Sequence, residues 1–217
     1  MKNSLKMTRL DYFTMKHQMI LHAATLIGMI LIYTFMLKSS IVLLGTTCSW
    51  ITALFSSTIF VTQEKNQLNC LYATVSIRPA EIVRGRYQYL YLNYLAALLI
   101  CIIFSAANSL LNGIPVSLTD ILTTISLSFF IYSCIMGMQI PIYYKMGYAR
   151  AKYWSMIPYL FVLSLVYTPA IVKSLSYILV FLQSHLYLFM IIGVIAGVAI
   201  SFLSCRISVC IYKKNRV

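Results

Sequence analysis

Four carboxylates and three histidines are all that the 217 residues offer for acid–base or metal chemistry, and their spacing assembles none. There is no HExxH, no GxSxG and no pair of carboxylates at catalytic spacing. His22 falls near the start of an apolar run, His185 lies outside one, and Asp120 sits at the end of a polar link. ATP hydrolysis by a P-loop needs GxxxxGK[ST], whose backbone N–H groups and lysine cradle phosphates, and none of the eight glycines begins such a run. The six cysteines form no CxxC. Cys48, Cys101 and Cys134 lie inside apolar runs, while Cys70, Cys205 and Cys210 lie near the face expected to be cytoplasmic, so neither a disulfide nor a metal site is expected. Lone polar residues on the apolar runs, such as Asn93, Asn108 and Gln139, suit hydrogen bonds between helices or the lining of a path.

The residues that offer something else are mechanical. The segment QEKNQLNCLYATVSIRPAEIVRGRY, beginning at Gln63, places Leu68, Leu71, Tyr72 and Val75 at i, i+3, i+4 and i+7, an apolar helical stripe. Lys65, Asn66 and Asn69 fall opposite. A short helix with one apolar face needs a receiver, either lipid or another protein. Pro79 suits the first turn of a following helix, where its missing N–H would be unpaired anyway. Glu81 then falls at the third helical position, where a carboxylate complements the helix dipole. Short helix, tight turn and long helix follow one another, so a push on the first reaches the last.

The elements that must position this segment are apolar. Hydrophobic residues make up 61% and charged residues 10%, far from the balance of a soluble domain. Six runs approach the length of about 20 residues that a helix needs to cross a bilayer: about 18–37, 41–62, 87–111, 121–144, 154–172 and 187–209. Residues 174–184 are apolar but too short and read as an interfacial or re-entrant helix. The 17 Lys and Arg residues fall on alternate connections, with only Lys38 and Lys173 on the other side. This pattern places both termini in the cytoplasm. The net charge of +13 therefore belongs to membrane topology and anionic headgroups, and nucleic acid is not an expected partner. Residues 1–17 carry Lys2, Lys6, Arg9 and Lys16 within one 80° arc of a helix, which fits either an interfacial helix or a basic tail that only enforces topology. Gly193, Gly197 and Ser201 form a small-residue stripe that suits a contact within the chain and a dimer seam equally. Pro141, Pro158 and Pro169 imply bends in or near the apolar runs.

Three separately placed motifs resemble one family. EKNQLNCLYATVSIRPAEIVRGRY looks like the segment after the second crossing of small bacterial type-2 ABC exporter permeases, and RLDYFTMKH and PIYYKMGYARAKY agree with it. The resemblance implies an all-α membrane protein, one permease domain over 1–217 with six transmembrane helices, a basic N-terminal interfacial helix and a coupling helix within 63–78. It implies that Glu64 heads the coupling helix, that Leu68, Leu71 and Tyr72 dock on an ATPase subunit, and that Pro79 and Glu81 open the third crossing. Where the family often has Pro, Ser and Arg, this chain has Ser76, Arg78 and Pro79. The usual N-cap hydroxyl is thus lost at Arg78, which costs about 1 kcal/mol, with Pro79 offsetting part of it.

The expectation is an exporter permease in a bacterial cell membrane, not itself an enzyme, moving a peptide, a bacteriocin or a hydrophobic drug. ATP and magnesium would sit on separate ABC ATPase subunits, with no cofactor on this chain. A second permease chain, identical or related, would complete the path. The alternative from another class is a stand-alone membrane immunity or interaction protein that transports nothing.

Overall fold

The computed structural model describes residues 2–32, 41–66, 68, 78–112, 117–162, 164 and 185–215. They form helices α1 (Lys2–Ile32), α2 (Ile41–Ser56), α3 (Thr58–Lys65), α4 (Pro79–Asn112), α5 (Leu118–Trp154) and α6 (Leu186–Asn215). Five stretches among the described residues, with α2 and α3 counted together, are long and apolar enough to cross a membrane. Of the expected fifth crossing at 154–172, residues 163 and 165–172 lie outside the described residues, as do 174–184, the link at 38–40 and the loop around Gly113 and Pro115.

α1 departs from expectation. Lys2–Ile32 is one uninterrupted helix that joins the basic segment to the described part of the first crossing. Nothing between Lys2 and Leu26 breaks it, since the first glycine is Gly28 and there is no proline. Its amino-terminal half is also held laterally. Ser4, Met7, Thr8, Asp11 and Met15 are buried at helical spacing, and the stripe continues through His22, Leu26 and Ile30. Lys6, Arg9, Phe13 and Lys16 face outward.

α2 and α3 follow one another across Ser57, whose N–H donates to Leu54 O at 3.2 Å, a tightened i→i−3 bond. α5 begins with a capping box: Ser117 Oγ accepts the Asp120 N–H at 3.0 Å and Asp120 Oδ2 accepts the Ser117 N–H at 3.2 Å. Asp120 is thereby a helix-starting residue. α5 runs beyond the expected 121–144, through the basic residues Lys145, Arg150 and Lys152, to Trp154. The expected bend at Pro141 is not where its backbone breaks; Gly147 is (φ 74°, ψ 167°). Proline removes the bond to the carbonyl four residues back. That carbonyl, Gly137 O, accepts the Ser204 hydroxyl of α6 at 2.8 Å, so the helix runs on through the proline.

Helix directions follow from which residues meet. Along α2, α3 and α5, Gly45 meets Thr124, Ser56 meets Tyr132, and Glu64 meets Tyr148. These elements run the same way. α6 runs with them, since Gly193 meets Ser126 and Tyr212 meets Tyr144. α1 and α4 run opposite to these and parallel to each other: Thr8 meets Gly85, His22 meets Asn93, and Leu26 and Ile30 share a cluster with Ala97 and Cys101.

Polar pairs run through the core. Tyr87, Tyr91 and Tyr94 of α4, at i, i+4 and i+7, pair with Ser204 and Ser208, with Ser201, and with Ser128. Tyr132, fully buried, donates to Leu90 O at 2.9 Å and stacks on Tyr94 at 4.4 Å. The Gly193–Gly197 stripe packs inside the chain against α5. A Cβ at Gly193 would meet Ser126 Oγ at 2.8 Å, and one at Gly197 would meet Phe129 Cε1 at 2.8 Å.

Candidate coupling site where α3 ends and α4 begins

α3 delivers Gln63, Glu64 and Lys65 to one end of the bundle, and α4 starts at the same end. Pro79 is the first helical residue of α4. Arg78 O accepts the Glu81 N–H at 2.9 Å and the Ile82 N–H at 3.4 Å, so Arg78 occupies the N-cap position with its backbone while its side chain is exposed. Glu81 lies in the first turn, where its charge faces the positive end of the helix.

Glu64 performs a second capping task, across helices. Gly147 takes the left-handed φ that favours glycine, and the helix restarts behind it with N–H groups that lack intrahelical partners. Glu64 Oε2 accepts two of them, from Tyr148 at 2.8 Å and from Ala149 at 3.1 Å. The exposed carboxylate therefore pins the end of α3 to the break in α5. Leu68 is half-buried and packs on the main core cluster. Leu71 and Tyr72 lie outside the described residues.

Arg86 lies at the centre of this end, with no exposed surface. Its Nη1 donates to Gln63 Oε1 of α3 and to the Tyr144 hydroxyl of α5 at 3.4 Å. Its guanidinium lies 5.2 Å from the Phe60 ring centre and 5.9 Å from that of Tyr144, within cation–π range. Its Nε stands 3.7 Å from Asp11 Oδ2 of α1, itself 2% exposed. One guanidinium thus touches α1, α3 and α5 from α4. The neighbouring Gly85 lets α1 come close: a Cβ there would meet Met7 Cβ and Ser4 O at 2.7 Å each. Thr8 Oγ1 donates to Gly85 O at 3.0 Å, and Ser4 Oγ to Gln88 Oε1 at 2.7 Å. Beside the junction is a cavity of about 440 Å³ lined by Phe60, Glu64, Tyr143, Lys145, Tyr148 and Tyr212, among others.

The sequence patterns reach Glu64, Leu68, Pro79 and Glu81 but miss Arg86, Asp11 and Gln63. Arg86 counts among the topology-setting cations, and nothing in one dimension distinguishes it from the exposed Arg84 two residues earlier. The available signal is scarcity. With only four acids in the chain, an aspartate on the buried stripe of the first helix needs a cationic partner. Among the described residues, no three His, Cys, Asp or Glu side chains converge as metal ligands would.

Among the described residues, this end of the molecule joins α1, α3, α4 and α5 of a helical membrane protein. A family model described as ABC-2 family transporter protein matches residues 6–213, and the chain belongs to that family. It is an ABC transporter permease, the membrane subunit of the transporter. Comparison with the curated proteins and with the solved structures gives no significant match.

Proposed function

We propose that the chain is a six-crossing exporter permease of a bacterial cell membrane with both termini in the cytoplasm. It would move an amphipathic or hydrophobic substrate with ATP hydrolysed on a separate subunit. Permeases of this family typically work with ABC ATPase partners. Residues 64–75 are the element on which such a partner pushes, and a second permease chain completes the path. The observation that carries this reading is the clamp of Glu64 on the Tyr148 and Ala149 amides. Movement of the segment leaving α3 pulls directly on the break in α5.

Two further observations support it. α5 and α6 run in the same direction, which suits the further crossing expected between them. The end bearing the clamp also exposes Lys65, Arg78, Lys145, Arg150, Lys152 and Lys213, the excess that marks a cytoplasmic face. Because the clamp fixes Glu64 within the chain, docking falls to the residues that follow, Leu71 and Tyr72 foremost.

Affinity purification from membranes tests the docking. Leu71→Asp with Tyr72→Ala is expected to abolish co-purification of an ATPase while the permease still inserts; retained co-purification refutes the assignment. In a Cys70→Ser background, Asn69→Cys is expected to react with an impermeant thiol reagent in inverted vesicles only. Labelling in intact cells would reverse the orientation.

A further inference from the structure

We infer that Arg86 is a positioning residue of the coupling step, and that through Asp11 it makes the first half of α1 move with the ends of α3 and α4. This rests on the coupling reading above and adds α1 to the moving part. Gln63 precedes the coupling segment and Arg86 follows it, so their hydrogen bond closes the loop of chain that carries the segment. A push on that segment reaches both arms at once and cannot spread them without breaking this bond.

The same guanidinium faces Asp11, and both side chains are removed from water, at 0% and 3% exposure. A guanidinium is suited to this because its planar fork directs donors to several partners while its faces stack on rings. Stranding one partner of a buried pair is costly, so the link resists separation more than apolar contacts do. Close packing at Gly85 and the Thr8 bond to its carbonyl hold the same turn of α1. α6 is held differently. Its bonds to α4 are neutral Tyr–Ser pairs at Tyr87 and Tyr91, and such neutral bonds are weak in a membrane core. α6, which meets α4 through these neutral pairs and α5 through Tyr212 and Asn215, serves as the reference for the distances below.

Two measurements on the full chain test this. In the permease alone, Asp11→Asn keeps the side-chain shape and removes the charge. Amide exchange across Ser4–Met15 is expected to speed up about tenfold or more, a factor that corresponds to about 1.4 kcal/mol, while exchange in α6 stays unchanged. Unchanged exchange in α1 overturns the link. In the reconstituted complex with its ATPase, spin labels on unnatural residues at Lys6, Lys65 and Lys213 leave the native cysteines in place. Between the nucleotide-free and the ATP–vanadate states, the Lys6–Lys213 and Lys65–Lys213 distances are expected to change together. Asp11→Asn should abolish the change at Lys6 and keep the one at Lys65, and Arg86→Lys, which keeps the charge without the fork, should weaken it.

A Lys6 change that survives in Asp11→Asn, or that is missing in the wild type while Lys65 moves, overturns the inference and leaves the coupling reading standing. A wild-type complex in which Lys65 does not move overturns the coupling reading, and this role with it.

Discussion

The two ends of the bundle hold their helices together by different physics. At the end where α3 stops and α4 starts, Arg86, Asp11, Gln63, Glu64 and Thr8 connect helices through directional polar bonds. At the other end Leu26, Ile30, Leu44, Cys48, Ala97 and Cys101 form a small apolar cluster between α1, α2 and α4. Apolar contacts are non-directional, and helices in lipid gain little from them beyond packing. Such an interface slides at low cost, whereas a buried ion pair with a hydrogen-bond partner does not. The first end is suited to transmitting displacement and the second to accommodating it.

Substitutions can break or sharpen this contrast. The largest effect is expected from Arg86→Ala, which strands Asp11 in a buried site. A loss of about 3–5 kcal/mol should appear as a large drop in the unfolding midpoint of the purified protein. Gly85→Val comes next, at about 1–3 kcal/mol, because its side chain drives Met7 and the Ser4 carbonyl off α4. Its signature is loss of a cross-link between cysteines introduced at Ser4 and Gln88. Glu64→Ala removes the cap on Tyr148 and Ala149 and should cost about 1 kcal/mol, read as faster amide exchange at those two residues alone. Ile30→Val at the sliding end should change stability by a similar amount, about 0.5–1.5 kcal/mol, but have the smallest effect on coupling and leave ATP hydrolysis by the complex unaltered. If Ile30→Val instead disturbs coupling as strongly as Glu64→Ala, the contrast between the two ends is wrong.

Sequence reasoning reached the site unevenly, for reasons that particular residues make plain. Pro79 and Glu81 are legible because helix starts are local: a missing N–H and a nearby carboxylate act within one turn. Glu64 is visible as an acid heading the segment, but its partners are backbone amides of Tyr148 and Ala149, and backbone amides carry no residue type to search for. Pro141 reads as a bend because its effect on its own helix is local, yet the Ser204 hydroxyl that relieves it comes from another helix. The amino-terminal half of α1 reads as an interfacial stripe or a loose tail because its outward cations dominate the pattern. The buried side, with Asp11 and Thr8, acquires meaning only against α4.

By itself the sequence determined the membrane class, the family and the helix starts. Hydropathy and charge placement sum along the chain, and caps act within a turn. Tertiary structure alone decided that the first half of α1 is buried against α4, that Arg86 rather than Arg84 is turned inward, and that the Gly193–Gly197 stripe is used within the chain. Those outcomes depend on which faces of distant helices meet, and burial changes the energy of a charge far more than any neighbour in sequence does.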